Sequence, residues 1–235
     1  MSVLSAERVR RLSLGVPVVD DVFPGFENGD FGVLYGEGSS LMGFILCVRC
    51  VLPTDLHGLG SNLVFVDGGN SFSPYLVSEV ARGYGLDPRY VLERIYVSRA
   101  FTAYQLSALI LEKLEPFTDR HDVGLVFVSG IASLFLDRDI PKREAVDLFT
   151  KVCSKLADIA AKKGKIVLAT YNPDRASRRG LFFEAVLFGR CNVLVKLGSK
   201  HGALTFTLQD HPSIKPFTVE LPMADLTLTK FMEDA

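Results

Sequence analysis

The sequence lacks tryptophan, has few cysteines and shows no excess of either charge. Its 235 residues include 26 Lys and Arg against 27 Asp and Glu, which gives a formal net charge of −1. This balance excludes a surface that is basic throughout, although it leaves room for a local basic patch. Four cysteines are too few for a disulfide scaffold in a chain of this length.

Metal-ligand spacing is also missing. Cys47 and Cys50 have CxxC spacing, but no second pair and no nearby histidine accompanies them. They lie in an apolar, helix-like stretch, which favours buried thiols over a metal or redox site. The histidines, which show neither ligand spacing nor a paired carboxylate, are His57, His121, His201 and His211. We therefore expect no metal.

Long hydrophobic runs are absent as well, although the mean hydropathy of +0.25 is high. A membrane-spanning helix needs roughly 18 apolar residues, and the longest candidate, at residues 125–136, is shorter and contains Gly130. Where a signal peptide would need an apolar stretch, the N-terminal segment carries the charged residues Glu7, Arg8, Arg10 and Arg11. We therefore expect a cytoplasmic protein with a buried apolar core and no membrane partner.

What the sequence does contain is an alternation of apolar, β-branched runs with helix-like segments. The predicted strands cover residues 32–35, 63–67, 95–98, 123–129, 165–170 and 192–197, and the predicted helices cover 40–51, 74–84, 103–114 and 142–163. Several runs are apolar on both faces, which is typical of parallel strands covered by helices on both sides. The alternation predicts a doubly wound α/β fold.

The C-terminal part follows a different pattern. Residues 191–197, 203–209 and 217–221 alternate or cluster around turns, with a hairpin loop predicted at 198–202. We therefore expect antiparallel strands at the C-terminal edge of a mainly parallel sheet. No internal repeat, low-complexity stretch or linker divides the sequence, so we expect one domain over residues 1–235.

The first predicted strand runs into a glycine-rich loop and then a helix, which is the context of a phosphate-binding loop. The loop consists of Gly36, Glu37, Gly38, Ser39, Ser40, Leu41, Met42 and Gly43. Gly36 fits the first position of the pattern GxxxxGK(S/T). The second glycine is replaced by Leu41, the lysine by Met42 and the hydroxyl residue by Gly43.

Each of these differences removes a contact to a nucleotide. A lysine would neutralise the β- and γ-phosphates, whereas Met42 carries no charge. A Ser or Thr hydroxyl would hold Mg²⁺, whereas Gly43 has no side chain. Without the second glycine, a tight anion nest is harder to form. Backbone N–H groups of the loop and the helix N-terminus remain for an anion, so we expect ATP or anion binding to be weak at best.

Other stretches resemble, in order, the core domain of the RecA/RadA recombinase family in its archaeal and eukaryotic branch. They lie at residues 11–40, 63–106, 125–135, 162–173 and 196–216. The resemblance implies a RecA-like fold over nearly the whole chain, without the small N-terminal helical domain common in these recombinases. An unrelated α/β domain with a glycine-rich loop is the alternative, and the matching order of the stretches argues against it.

The resemblance also implies where catalytic groups should stand, and the sequence departs from the family there. The catalytic glutamate position falls on Gly69 and the Walker B aspartate position on Ser129. Asn172 occupies the polar sensor position, where the family usually has Gln. Phosphoryl transfer depends on Mg²⁺, a lysine and a positioned water. The resemblance implies an archaeal RadA-like paralogue, and the combined losses imply that its Walker motifs are degenerate, so we expect no enzyme and no cofactor.

In the resembled family, two loops that face the filament axis bind DNA. They correspond here to residues 130–143 and 172–183. Their cations are Arg138, Lys142 and Arg143 in the first loop and Arg175, Arg178 and Arg179 in the second. Arg pairs with phosphates and aromatic rings stack on unpaired bases, and Phe182 and Phe183 end the second loop. Two alternatives stay open: these are ordinary charged loops, or the phenylalanines begin a helix that packs on the sheet.

Because the fold of the family is kept while the residues for ATP hydrolysis are lost, we expect an accessory factor in homologous recombination or DNA repair. Such a factor would bind single-stranded DNA, a RecA/RadA-type recombinase partner, or both. The alternative is a non-catalytic scaffold subunit of a RecA-fold ring or regulatory assembly that has no DNA role. A third hypothesis retains nucleotide binding without hydrolysis. The sequence leaves the partner, the oligomeric state and the pathway open.

Overall fold

Strands and helices alternate along the chain, and a computed structural model describes residues 11–200 and 203–221. The strands are β1 (Arg11–Leu12), β2 (Phe26–Glu27), β3 (Phe31–Gly36), β4 (Asn62–Asp67), β5 (Ile95–Arg99), β6 (Val123–Ser129), β7 (Ile166–Tyr171), β8 (Val193–Lys200), β9 (Ala203–Asp210) and β10 (Phe217–Leu221). The helices are α1 (Pro17–Asp20), α2 (Ser39–Val51), α3 (Pro74–Gly83), α4 (Pro88–Leu92), α5 (Ala103–Ala108), α6 (Leu114–Arg120), α7 (Lys142–Lys163) and α8 (Arg178–Phe188). A π-helical turn, Leu109–Lys113, joins α5 to α6, and 3₁₀ turns lie at Thr54–Leu56 and Ser133–Leu136.

One large sheet contains eight of the strands, in the order β10-β9-β8-β3-β7-β6-β4-β5. The strands from β8 to β5 in this order run parallel to one another. β9 and β10 are antiparallel additions beside β8, and β1 pairs with β2 in a separate ribbon. This topology confirms the predicted α/β class with antiparallel strands at the C-terminal edge.

The sheet is apolar on both faces because helices cover both. On β3, Leu34 belongs to the core cluster that includes α2 and α3. Val33 and Tyr35 belong to the opposite cluster, which includes α7 and α8. On β6, Phe127 and Val128 divide between the two clusters in the same way. Successive side chains of a strand point to opposite faces, so a strand buried on both faces has no polar alternation.

The order of the strands places one end of the sheet where a ligand would bind. β3 lies between β7 and β8, whereas the chain continues from β3 to β4 on the far side of β7 and β6. In open parallel sheets, ligands bind beyond the carboxyl ends of the strands at such a reversal of strand order. Gly36, Asp67, Ser129 and Tyr171 end the relevant strands. We call this region the carboxyl end of the sheet.

Two predicted boundaries are wrong. The helix predicted over 103–114 is longer, because the helical path runs through α5, the π turn and α6 to Arg120. Pro116 within α6 has no N–H to donate to the carbonyl of residue 112, which interrupts the regular α pattern in this region. β8 continues to Lys200 and β9 begins at Ala203, so the loop predicted at 198–202 is mostly strand. Residues 201 and 202 lie outside the described residues.

The cysteines are free thiols, and Cys47, Cys50 and Cys153 are buried. Burial raises the pKa of the Cys47 thiol and raises the pKa of Cys191 to about 12. Both thiols therefore stay protonated near neutral pH, where a thiolate would be the reactive form. The prediction of buried thiols at the CxxC pair is confirmed.

Candidate functional site

The turn between β3 and α2 is short, and α2 begins within one residue of the predicted helix start at residue 40. α2 begins at Ser39, so only Glu37 and Gly38 separate it from β3. Gly38 adopts a left-handed conformation (φ 80°) immediately before the helix, which glycine adopts without steric cost. The later residues of the glycine-rich pattern form the first turns of α2; these are Ser39, Ser40, Leu41, Met42 and Gly43.

Gly36 and Gly43 hold this turn close to the sheet. A Cβ atom at Gly36, where φ is 92°, would lie 2.1 Å from the carbonyl oxygen of Leu197 on β8. A Cβ atom at Gly43 would lie 2.3 Å from the ring of Phe127 on β6. Both positions therefore require glycine, because α2 and the turn contact β8 and β6 directly.

Met42 occupies the position that the resemblance aligns with the nucleotide-binding lysine. Its side chain is 2% exposed and belongs to the same core cluster as Leu197 and Leu221. These residues line a cavity of about 10 Å³, which is at the lower limit for a single water molecule. The Met42 N–H donates to the Gly38 carbonyl oxygen at 2.9 Å, as in an ordinary helix. The space beside α2 is thus filled by apolar side chains.

Asp67 is a fully buried carboxylate at the carboxyl end of β4. Its Oδ1 accepts from the Ser71 N–H at 2.9 Å and its Oδ2 accepts from the Phe72 N–H at 3.1 Å. Arg99 Nε, at the end of β5, donates to the same Oδ2 at 3.0 Å. The carboxylate is therefore satisfied by the loop that follows it and by one cation, as a buried charge requires.

Gly69 and Ser129, the predicted positions of the catalytic glutamate and the Walker B aspartate, lie side by side. A Cβ atom at Gly69 would lie 3.4 Å from the Gly130 Cα. The Ser129 hydroxyl is buried and shares a hydrogen bond with the Ser71 hydroxyl. The Gly130 N–H donates to Thr170 Oγ1 at 2.9 Å. The loops after β4 and β6 thus contact each other and the end of β7 through small and neutral groups.

Asn172, the predicted sensor residue, follows β7 directly and is exposed. Beyond it, the predicted second loop is only partly a loop, because α8 begins at Arg178. The Ser177 hydroxyl accepts from the Gly180 N–H at 2.9 Å and so caps the helix. The assignment of Arg178 and Arg179 to a loop is therefore wrong: both belong to the first turn of α8.

Phe182 and Phe183 also belong to a packed helix, as the alternative predicted, although α8 begins at Arg178 and not at the phenylalanines. Phe183 is fully buried and contacts Phe149 of α7, with 4.4 Å between ring centroids. Phe182 lies on the outer side and is 40% exposed. The Tyr171 hydroxyl donates to the Gly180 carbonyl oxygen, and burial raises the pKa of Tyr171 to about 12.

The six predicted DNA-contact cations gather around the N-termini of α7 and α8, but they differ in what they contact. Five are exposed; these are Arg138, Lys142, Arg143, Arg175 and Arg178. Arg175 Nε lies 3.4 Å from Glu184 Oε2 in an ion pair. Arg179 donates hydrogen bonds to three backbone carbonyls of the segment after β6. The structure brings the two segments together, and it gives Arg175 and Arg179 partners within the chain.

A feature that the sequence did not predict is an open apolar groove at the opposite edge of the sheet. Among the described residues β5 pairs only with β4. Beside it lies a cavity of about 450 Å³ lined mainly by Val64, Val66, Ile95, Leu109, Leu114 and Phe117. Lys113 of the π turn also lines it, Val97 is 43% exposed, and Phe101 just beyond β5 is 68% exposed. The sequence signal that could have indicated the groove is Pro116, because it interrupts the helix that forms the wall of the groove.

Two absences hold for residues 11–200 and 203–221. No group of three or more His, Cys, Asp and Glu side chains comes together as a metal site would require. No helix there is both long enough and apolar enough to cross a bilayer.

The strand order, the turn between β3 and α2 and the parallel core define a RecA-like α/β domain. A family model described as Rad51 matches residues 6–172. This match covers well over half of the 235 residues, and the chain belongs to the Rad51 family. The matched region runs through β7, whereas α8 and β8 to β10 lie beyond it. Membership of this family points to a recombinase-like function in recombination and repair.

Proposed function

We propose that this chain is a non-catalytic, archaeal RadA-like member of the Rad51 family. It acts in the cytoplasm as an accessory factor in homologous recombination or DNA repair, by binding a recombinase partner, single-stranded DNA, or both. The observation that carries the proposal is the buried Met42 at the carboxyl end of the sheet, where its apolar neighbours leave a cavity of about 10 Å³.

Catalysis of phosphoryl transfer would need positive charge and Mg²⁺ at this end of the sheet. Met42 and Gly43 supply neither a cation nor a hydroxyl, and Gly69 and Ser129 supply no carboxylate. Asp67 is engaged by Arg99 and by the loop that follows it. The backbone N–H groups in the first turn of α2 are what remains for an anion, so a nucleotide would bind weakly and without turnover.

The groove at β5 supports protein binding. A sheet edge offers backbone N–H and carbonyl groups to an added strand, and a neighbouring apolar pocket accepts one of its side chains. Burial of a large apolar side chain there contributes about 1.5–3 kcal/mol. We infer that an extended segment of the recombinase partner lies along β5 and inserts an apolar side chain between Val66 and Leu109.

The exposed cations near α7 and α8 support contact with single-stranded DNA. Arg138, Lys142, Arg143 and Arg178 are exposed, and each such cation paired with a phosphate adds about 0.7 to the salt dependence of affinity. Asp137, Asp139 and Glu144 lie among them in the sequence. The resulting surface is only weakly basic, so we expect modest affinity.

The proposal is tested by measuring both ligands on the purified full chain. The probes are a fluorescent oligothymidine, followed by anisotropy, and the recombinase of the source organism, followed by biolayer interferometry. Combined replacement of Arg138, Lys142 and Arg143 by Ala should weaken DNA binding and lower its salt slope by about 2. Val97→Lys should weaken recombinase binding and leave DNA binding unchanged. Absence of binding to both probes contradicts the proposal.

The second candidate is a scaffold subunit with no DNA role. Two of the six predicted DNA-contact cations, Arg175 and Arg179, already have partners within the chain. This observation favours a role without DNA. Protein binding that depends on Val97, together with no salt-dependent binding of oligothymidine, would select this candidate.

A further inference from the structure

Arg179 connects the two segments that follow β6 and β7. Its Nη1 donates to the carbonyl oxygens of Phe135 at 3.3 Å and Asp137 at 2.7 Å. Its Nη2 donates to the carbonyl oxygen of Ile140 at 3.2 Å. These acceptors lie more than 35 residues earlier in the chain, so the contact is between elements and not within α8.

The acceptors need such a partner. Phe135 lies in the 3₁₀ turn Ser133–Leu136, and Asp137 follows it directly. The last carbonyl groups of a helical turn have no partner within the turn. A guanidinium presents several donors in one plane and can reach carbonyls that point to a common centre. Arg179 therefore satisfies the end of this turn from a neighbouring helix.

An apolar contact accompanies the polar one. The Phe135 side chain is fully buried and lies edge-on to Phe183 of α8, with 6.3 Å between ring centroids. Phe135 also lies edge-on to Phe149 of α7 at 5.2 Å. The segment after β6 is thus held by the packing of Phe135 on α7 and α8 and by the hydrogen bonds from Arg179. Arg138 lies inside the held segment, and Lys142 follows it at the start of α7.

We propose that Arg179 is a positioning residue that fixes residues 131–141 against α8. Arg179 does not bind a phosphate itself, because its guanidinium already donates to three carbonyl oxygens. The exposed cations Arg138, Lys142 and Arg178 then form one surface for a polyanion; this last step rests on the proposed binding of single-stranded DNA.

Hydrogen–deuterium exchange on the full chain tests the positioning role without any ligand. Arg179→Lys keeps the charge but replaces the planar group by a single nitrogen, which cannot span the three carbonyls. We expect amide exchange in residues 131–141 to accelerate about tenfold or more, the loss expected for a hydrogen bond from a charged donor. Arg178→Lys is the matched control and should leave exchange unchanged. Unchanged exchange in Arg179→Lys overturns the proposal.

The salt dependence of oligothymidine binding separates positioning from direct contact. If Arg179 positions its neighbours, Arg179→Ala lowers the slope by more than the roughly 0.7 of one phosphate contact, and Arg179→Lys does not restore it. A slope that falls by one contact and is restored by Lys identifies a direct phosphate ligand and overturns the positioning role. If the unaltered chain binds no oligothymidine, the DNA part of the proposed function fails, whereas the exchange result still decides the role of Arg179.

Discussion

Strand β4 contributes both to the carboxyl end of the sheet and to its β5 edge, and its residues are packed differently in the two regions. At the carboxyl end, Asp67 and the following loop are satisfied by internal hydrogen bonds, and the cavity beside Met42 is about 10 Å³. Along the β5 edge, Val64 and Val66 line an open cavity of about 450 Å³. Apolar side chains are packed beside Met42 in the region where this fold class binds ligands, whereas apolar space is open along β5.

This comparison predicts opposite responses to an added charge. At the carboxyl end a charge would be buried among apolar or internally paired groups, and the cost would appear in folding stability. At the β5 edge a charge would remain in water, and the cost would appear only in partner binding.

The largest expected effect belongs to Met42→Lys. It places an ammonium group in a site that is 2% exposed, among mainly apolar side chains, and we expect the free energy of unfolding to fall by about 3 kcal/mol or more. Met42→Leu keeps the volume and should cost less than about 1.5 kcal/mol. Urea unfolding measures both. A lysine variant of unaltered stability that gains nucleotide binding would show that a nucleotide site is still present.

Ser129→Asp should have the next largest effect. The new carboxylate would lie opposite Asp67 in strand register, in a buried position, and we expect a loss of about 2–3 kcal/mol near pH 7. Burial and the like charge raise the pKa of the new carboxyl group, so the loss should shrink as the pH falls. Ser129→Ala, which removes one hydrogen bond, should cost about 1 kcal/mol at either pH. Equal losses for Asp at both pH values would contradict a buried position beside the Asp67 carboxylate.

Val97→Lys tests the open edge. Val97 is 43% exposed on β5, so its replacement should change stability by no more than about 0.5 kcal/mol. Partner affinity should fall at least about tenfold, because a lysine on an edge strand opposes strand addition. Val18→Lys, at a similarly exposed apolar position on α1, is the control. Equal affinity for both variants would remove the groove from the interface.

The smallest effect concerns the helix that forms the groove wall. Hydrogen bonds from Lys155 and Lys163 lower the pKa of Glu115 on α6. A lowered pKa in the folded state stabilises the fold above the ordinary carboxyl pKa, and this contribution is lost as the pH falls through the lowered value. Glu115→Gln should therefore reduce the melting temperature slightly at neutral pH, and less at acidic pH or high salt. Glu93→Gln is the control, because Glu93 lies in an exposed ion pair on the side of the sheet away from the groove wall. A larger change of the melting temperature in this control would contradict the coupling of α6 to α7.

The parallel core could be predicted from the sequence because each strand buried on both faces is apolar throughout, as in residues 123–129. The start of α2 was predicted to within one residue of Ser39, because a glycine-rich turn separates an apolar strand from a helix-like segment there. α8 was missed at its start because Ser177 was not weighed as a helix cap. Arg179 and the groove depend on contacts between distant segments, which a single sequence does not display.

The central claim is that the carboxyl end of the sheet has lost its nucleotide chemistry. Calorimetric titration of the full chain with ATP and Mg²⁺, followed by a phosphate-release assay on the same sample, tests it most directly. We expect no saturable binding in the micromolar range and no phosphate release above that of a buffer control. Micromolar binding with Mg²⁺-dependent turnover that is lost on changing Glu37 or Ser39 would contradict it.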